Sequence, residues 1–176
     1  MITLRPIAES DADALFPHVY KTAVTDTLIW DGPDSLEGYR TALKLREERT
    51  KAREELIYTM LDAAGTAVGS IGLHPDPANC SATMGLWIGL AFHGQGYGTD
   101  AVRQIVQLAF GEMKLERLEA RIYVGNGASR RIFEKNGFQL EGTLRRVALK
   151  RGLFLDEWVM GAIREDYRAA PHPPSL

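Results

Sequence analysis

The chain has 176 residues, of which 45% are hydrophobic and 25% are charged, and these proportions predict one globular domain. Its 21 basic and 23 acidic residues give a formal net charge of -2, which provides no electrostatic basis for binding nucleic acid or an anionic membrane. The single cysteine, Cys80, excludes an internal disulfide and favours a reducing compartment. Because the sequence has no apolar signal segment and no apolar run approaching about 20 residues, we expect a cytoplasmic protein.

Hydrophobic periodicity and turn signals predict elements in the order β-α-α-β-β-β-α-β-α-β-β. The predicted strands span residues 2–7, 56–61, 67–73, 81–92, 118–124, 138–150 and 154–163. The predicted helices are 10–22, capped by Ser10, a second that begins at Ser35, 100–113 and 128–135. We therefore expect an α/β (α+β) fold with a mixed sheet flanked by helices, in a single domain over residues 1–168. Residues 169–176 contain three prolines and are expected to form a flexible tail.

A glycine-rich loop, residues 93–99 (HGQGYGT), lies between the predicted strand 81–92 and the predicted helix 100–113. Glycines at alternate positions allow the backbone to bend and leave its N–H groups uncovered. The following helix directs its positive end toward the same place. A strand, an uncovered loop and a helix N-terminus form a nest for phosphate, so the loop predicts binding of a phosphorylated cofactor.

Two other interpretations of this loop are less favoured. Residues 96–101 also fit the G-x-G-x-x-A variant of the dinucleotide fingerprint, with Glu119 about 20 residues further on. That fingerprint belongs at the first strand-to-helix turn, and the 78 residues after Gly98 are too few for the two usual halves. A P-loop is excluded because no Gly-Lys-Ser/Thr follows. A tight turn without a ligand remains possible, although three glycines in one turn argue against it.

Three later segments accompany the loop in a fixed order. They are residues 126–129 (NGAS), 134–138 (EKNGF) and 141–145 (EGTLR), the last followed by Asp156. With the loop, they resemble the GNAT superfamily of N-acetyltransferases, and in particular its RimJ/RimL-like ribosomal-protein branch. The resemblance runs from residue 2 to about residue 167. It implies the GNAT fold, with a mostly antiparallel central sheet, and acetyl-CoA as the acetyl donor. No metal is expected, because the four scattered histidines and one cysteine have no metal-ligand spacing.

The resemblance also implies where the cofactor binds. Its diphosphate would accept hydrogen bonds from the loop, in which His93 stands where the family has Gln or Arg. The implied donors are the backbone N–H groups of Gly94, Gln95, Gly96, Tyr97, Gly98 and Thr99. Pantetheine would lie along the backbone of Ile88, Gly89 and Leu90, where Gly89 permits a bulge or a close approach, or only satisfies a packing need. Asn126 would bond pantetheine or cap the next helix.

The chemistry at the thioester is less fully assigned. An N–H group near Leu90 would stabilise the developing oxyanion. Many family members have a tyrosine proton donor where this chain has Phe133, which would contact the cofactor without donating a proton. Ser129 is the predicted substitute, with helix capping as the alternative role. No acid lies on the strand 81–92, and Ala148 stands where RimL-like enzymes have a glutamate, so the general base is not assigned.

The acceptor is expected to enter beside Trp30 and Asp31, with His74 as a further candidate for contact with it or for the base. Each has a structural alternative: Trp30 as core, Asp31 as a solvated loop acid and His74 as packing. Neutralising a lysine amine, with a pKa of about 10.4, costs about 3.3 kcal/mol more than neutralising an α-amine of pKa about 8. A site without an evident base therefore favours a peptide α-amine or a small-molecule amine. A non-catalytic acyl-CoA-binding module and a dinucleotide-dependent oxidoreductase are the alternatives, and a homodimer is possible.

Overall fold

The computed structural model describes residues 1–169, so the predicted tail lies, apart from Ala169, outside the described residues. The strands are β1 (Thr3–Pro6), β2 (Leu56–Leu61), β3 (Ala67–Asp76), β4 (Ser81–Ile88), β5 (Arg117–Tyr123), β6 (Gln139–Lys150) and β7 (Leu153–Ile163). The helices are α1 (Ala12–Val19), α2 (Leu36–Lys51), α3 (Tyr97–Gln107), α4 (Gly127–Glu134) and α5 (Arg164–Ala169). In this described part of the chain, no helix is long and apolar enough to cross a bilayer.

The seven strands form one sheet in the order β1-β2-β3-β4-β5-β7-β6. Neighbouring strands are antiparallel except for β4 and β5, which are parallel. This sheet, with helices on both faces, confirms the predicted mixed and mostly antiparallel α/β fold. Turns that contain Ala64-Gly65 and Arg151-Gly152 connect β2 to β3 and β6 to β7 as hairpins.

Each face of the sheet has its own apolar core, because side chains alternate along a strand. On one face, α1 and α2 contribute Leu15, Val19 and Leu43, which pack with Ile57 of β2. On the other face, α3 and α4 pack on the sheet; the buried residues there include Val102, Ile105, Leu118, Ile122, Phe133 and Met160. We call these the α1/α2 face and the α3/α4 face.

The sheet opens between its two parallel strands. Only residues 81–83 of β4 pair with 117–119 of β5. Beyond that point β4 stays paired with β3 as far as Ile88, and β5 stays paired with β7 as far as Tyr123. The two halves of the sheet therefore separate and leave a gap between residues 84–88 and 120–123, which we call the wedge.

Several predicted element ends were wrong. Ser10 does not cap the first helix: residues Glu9–Asp11 form a 3-10 turn, and the Asp11 carboxylate accepts the Ala8 N–H. The strand predicted to residue 92 ends at Ile88, because Leu90–Phe92 turn into another 3-10 segment. The third helix begins at Tyr97 rather than at residue 100, because Gly96 adopts the left-handed conformation that starts it.

The start of the second helix was predicted correctly. The Ser35 hydroxyl accepts the Gly38 N–H at 3.1 Å, which satisfies one donor of the first turn. Tyr39 and Leu43 of this helix are buried.

Candidate active site

A cavity of about 880 Å³ runs through the wedge. One part of it lies among the 93–99 loop, the start of α3 and α4. The other part lies on the α1/α2 face and is lined by side chains of β3, β5, β7, α2 and the segment before α2. The cavity therefore joins the predicted phosphate nest to a second compartment through the gap in the sheet.

The loop at the first part has the geometry of an anion site. Gly94 and Gly96 have φ angles of +77° and +81°, which side chains disfavour, and each lines the cavity. Gly98 packs closely against α4, since a Cβ atom there would lie 2.7 Å from the end of the Ile132 side chain. The first N–H groups of α3 have no acceptor within their own helix, so the helix N-terminus presents donors and a positive dipole end.

Most of the predicted cofactor residues line this cavity. They are Ile88, Leu90, Gly94, Gly96, Tyr97, Gly98, Thr99, Asn126, Ser129 and Phe133. Gln95 does not line it, and its side chain donates to the Ala91 carbonyl at 3.3 Å.

Gly89 also lies outside the cavity lining. Its N–H donates to the Val68 carbonyl at 2.9 Å, and its carbonyl accepts the Phe92 N–H. A Cβ atom at this position would lie 2.8 Å from the His18 ring. Close packing against α1, the alternative stated above, therefore accounts for this glycine.

His93 links the loop to the end of β4. Its Nε2 atom lies 2.9 Å from the Ile88 carbonyl oxygen, within hydrogen-bond distance. His93, which stands where the family has Gln or Arg, thus connects the first residue of the loop to the end of β4.

On α4, the three predicted residues have different surroundings. The Asn126 side-chain oxygen accepts the Ser129 N–H at 3.1 Å and caps the helix, which is the alternative role stated for Asn126. Ser129, in the first turn, lines the cavity. Phe133 is only 2% exposed and packs edge to face against Phe138.

Two basic residues in this part of the cavity were not predicted. Arg131 and Lys135 lie one turn apart on the same side of α4 and both line the cavity. Their spacing of four residues within a predicted helix was the signal available in the sequence. Cations beside an uncovered helix N-terminus favour a ligand with several phosphate charges.

The compartment on the α1/α2 face contains two of the three predicted acceptor residues. Trp30 lines it and stacks on Tyr39, with ring centroids 6.0 Å apart. His74 lines it as well, and its Nδ1 atom lies 3.5 Å from the Glu55 carboxylate. Burial lowers the pKa of His74 despite the opposing effect of Glu55, so the imidazole is neutral at neutral pH.

Asp31, the third predicted acceptor residue, bonds to the β6–β7 hairpin instead of lining the compartment. Its carboxylate accepts from Lys150 Nζ at 2.8 Å and from Arg151 Nε at 3.2 Å, and it is absent from the described residues that line the cavity. The hydrogen bond from Lys150 holds the pKa of Asp31 below its ordinary value. Asp31 therefore fastens the segment that carries Trp30 to the β6–β7 hairpin.

The floor of this compartment is open beside Gly85 on β4. A Cβ atom on Gly85 would meet no other atom within 4 Å, whereas a Cβ atom on its pairing partner Gly72 would lie 2.7 Å from Ile57 Cδ1. The absence of a side chain at Gly85 leaves room for an acceptor directly beside the wedge.

Tyr123 and Glu157 form the opposite wall and were missed by the sequence analysis. They pair across β5 and β7, line the cavity and are 8% and 6% exposed. Burial raises the pKa of the Tyr123 hydroxyl, with further contributions from Glu157 and Asp31. No sequence signal identifies this pair, because their contact depends on the register of two strands separated by more than 30 residues.

Comparison with known proteins agrees with this architecture. A family model described as an acetyltransferase (GNAT) domain matches residues 1–139. The probable N-acetyltransferase YjcK of Bacillus subtilis (strain 168) is 32% identical over 135 residues, covering 75% of each chain. The putative ribosomal N-acetyltransferase YdaF of the same organism is 34% identical over 127 residues, covering 72% of this chain and 69% of its own.

Solved structures give the same result. A crystal structure of a probable acetyltransferase superposes with a TM-score of 0.86, at 28% identity over 94% of both chains. The self-immunity acetyltransferase MccE, in complex with acetyl-CoA and AMP, superposes with a TM-score of 0.83 at 22% identity, over 92% of both chains; this likeness shows the fold alone. The RimJ/RimL-like branch stays a prediction. From the domain match and these relatives, the chain belongs to the GNAT acetyltransferases and is an acetyl-CoA-dependent N-acetyltransferase.

Proposed function

We propose that this protein transfers the acetyl group of acetyl-CoA directly to the α-amine of a peptide or to a small-molecule amine, while both substrates are bound. The observation that carries the proposal is the continuous cavity through the wedge. A thioester held in the gap would face the phosphate nest on one side and the acceptor compartment on the other. Direct attack requires this arrangement, because the nucleophile and the carbonyl carbon must meet without a covalent enzyme intermediate.

The cofactor would bind along the α3/α4 side of the wedge. Its diphosphate accepts hydrogen bonds from the loop and the α3 N-terminus, while Arg131 and Lys135 neutralise phosphate charge. Pantetheine lies along the edge of β4 that β5 leaves unpaired beyond residue 83, near Ile88 and Leu90. Because the backbone groups of Gly89 are already paired, we assign it packing rather than contact with the cofactor.

Two groups would act at the thioester. The Leu90 N–H stabilises the negative charge that develops on the carbonyl oxygen. The Ser129 hydroxyl donates a hydrogen bond to the departing sulfur, since Phe133 has no proton to offer. The position of Ser129 supports this role, because it lies in the first turn of α4 and lines the cavity.

The names of relatives support an amine acceptor without fixing one. YdaF is described as a putative ribosomal N-acetyltransferase, AaaT of Escherichia coli (strain K12), 23% identical over 83 residues, as an L-amino acid N-acetyltransferase, and a structural neighbour from Vibrio cholerae as a spermidine N-acetyltransferase. Trp30 and His74 would contact the acceptor, and Asp31 would hold the Trp30 segment in place. A homodimer and a cytoplasmic location stay predictions.

Release of CoA, measured with a thiol reagent across a panel of amines, tests this function. The panel contains a tripeptide with a free α-amine, L-amino acids, spermidine and Nα-acetyl-lysine. We expect saturable turnover with an α-amine or a small amine, and a lower kcat/KM with Nα-acetyl-lysine. Saturable binding of acetyl-CoA without CoA release from any amine would favour the non-catalytic binding module instead, and faster turnover on the lysine side chain would contradict the α-amine assignment.

A further inference from the structure

Glu157 and Tyr123 stand side by side at the wedge. Directly opposed residues of an antiparallel pair present their side chains on the same face. Ile122, next to Tyr123 on β5, pairs with Trp158, next to Glu157 on β7, and both belong to or pack against the core on the α3/α4 face. Tyr123 and Glu157 therefore face the compartment on the α1/α2 face, where the acceptor would bind.

Both side chains are buried polar groups without a protein partner. The Tyr123 hydroxyl is buried and has no hydrogen-bond partner among the described residues. Within residues 1–169, no hydrogen bond or ion pair reaches the Glu157 carboxylate. Buried polar groups are normally paired, so the enclosed Tyr123 hydroxyl has unused hydrogen-bonding capacity. The Glu157 side chain beside it lines the cavity with a free carboxylate.

The basic side chains around the pair are engaged with other acids. Lys150, from β6, and Arg151, from the following turn, both bond to Asp31. Arg121, two residues before Tyr123 on the same face of β5, bonds to Glu119 at 3.1 Å. The other ionisable groups lining this compartment are Tyr39 and Arg46 of α2 and His74 of β3. His74 Nδ1 lies 3.5 Å from the Glu55 carboxylate, and no ion pair joins Arg46 to Glu157 among the described residues. The charge of Glu157 therefore stays available for a cation in the cavity.

We infer that Glu157 binds the acceptor as its ammonium form and removes its proton, while the Tyr123 hydroxyl oxygen accepts a second ammonium N–H. The inference rests on the proposed function and supplies the base that the sequence leaves unassigned on β4 and at Ala148. A protonated amine is the ligand whose charge and N–H donors complement an isolated carboxylate beside an unpaired hydroxyl. His74 lines the same compartment, with its Nδ1 atom 3.5 Å from the Glu55 carboxylate.

One ammonium proton passes to Glu157, and the neutral nitrogen forms a bond to the acetyl carbonyl carbon. The C–S bond then breaks, and the sulfur leaves as a thiolate with the bond's electron pair. A second proton from the nitrogen converts the thiolate to the free thiol of CoA, and Glu157 returns its proton to water.

The main test is Glu157→Gln, with Glu48→Gln on the exposed side of α2 as the control. With the best amine of the panel, we expect kcat/KM at pH 7 to fall about 100-fold or more, in the range for loss of a general base, while the Kd for acetyl-CoA is unchanged. The loss should shrink as the pH approaches the pKa of the amine, and it should be small with methoxyamine, which is already neutral at pH 7. A loss under threefold, or an equal loss at every pH and with methoxyamine, would overturn the inference.

Tyr123→Phe provides a second test that does not depend on the folding of the first variant. Removing a buried hydroxyl without a partner leaves the fold equally or more stable. We expect the KM for the amine to rise about fivefold or more, consistent with loss of one hydrogen bond, and the melting temperature to stay the same or rise. An unchanged KM would refute the role of Tyr123. Turnover by the wild-type protein tests the proposed function separately. If the wild-type protein and both variants are equally active, only the inference about Glu157 and Tyr123 is contradicted.

Discussion

Gly96 and Gly65 have nearly the same backbone, with φ of +81° and +80°. A Cβ atom on either residue would meet no other atom within 4 Å. Gly65 lies in the β2–β3 turn, whereas Gly96 caps α3 and lines the cavity. Comparing the same substitution at the two positions therefore separates its effect on backbone strain from its effect on ligand binding.

We predict that Gly96→Ala and Gly65→Ala each lower the free energy of unfolding by about 1–2 kcal/mol, because alanine is disfavoured in the left-handed conformation. Only Gly96→Ala should weaken acetyl-CoA binding, by about tenfold or more, since its methyl group would stand beside the diphosphate. Urea unfolding and titration calorimetry measure the two effects. Equal acetyl-CoA affinity in both variants would contradict the loop as the diphosphate site.

At the residue scale, the sequence predicted the residues that belong to local motifs. The glycines of the loop were predicted from their spacing and Ser129 from the resemblance to the family, and Gly94, Gly96, Gly98 and Ser129 line the cavity. Tyr123 and Glu157 were missed because strand register brings them together. Asn126 shows the limit of a motif: the same side chain fits a cofactor contact and a helix cap, and only the hydrogen bond to Ser129 N–H identifies the cap.

Among the elements, α4 and its C-cap residue carry basic side chains with two kinds of surroundings. Arg131 and Lys135 line the cavity. Arg130 instead bonds to Glu134 at 2.7 Å, and its guanidinium lies 4.9 Å from the centre of the Trp158 ring. One short helix thus offers both a test of phosphate recognition and a matched control.

We expect the double variant Arg131→Ala/Lys135→Ala to weaken acetyl-CoA binding about tenfold or more at low salt, because two charges beside the phosphates are lost. The difference from wild type should narrow at high salt as screening increases. Arg130→Ala should leave the affinity within about twofold, although it removes packing on Trp158. A double variant that binds with wild-type affinity at low salt would place the phosphates elsewhere.

Strands and helices were predictable where one face is buried, as in β5 with its alternating pattern. Their ends were less predictable, because tertiary contacts decide them. Asp11 illustrates this: its carboxylate accepts from Ala8 and Thr59, so the turn before α1 is organised by Asp11 rather than by Ser10. The five-residue π-helical segment Leu108–Glu112 after α3 also has no local signal.

The wedge is a property of the whole molecule. It arises because β4 and β5 each keep one partner, β3 and β7, after their own pairing ends. Nothing in the sequence of either strand predicts where that separation begins. The strand register shows where the gap begins in this chain.

Asp100 connects this architecture to the N-terminal edge of the protein. Its carboxylate accepts the Ile2 N–H at 2.7 Å and also bonds to Arg103. Burial raises the pKa of Asp100, but these hydrogen bonds outweigh it and hold the pKa below the ordinary value of 3.8. The unfolded chain therefore binds this proton first as the pH falls, so the stabilisation is complete above pH 3.8 and is lost below it.

We predict that Asp100→Asn lowers the free energy of unfolding by about 1 kcal/mol at pH 7, because the hydrogen bonds lose their charge assistance. The difference from wild type should shrink as the pH falls below 3.8, as measured by urea unfolding across this range. Asp34→Asn, at an exposed position, serves as the control. A difference of the same size at pH 3 and pH 7 would rule out the carboxylate charge as its source.

Titration calorimetry with acetyl-CoA is the most direct test of the site as a whole, because every proposed step requires that cofactor in the wedge. We predict a saturable heat with one molecule bound per chain, weakened by Gly96→Ala and unaffected by Gly65→Ala. Absence of saturable binding to the wild-type protein would contradict the assignment of the loop, the wedge and the catalytic groups together.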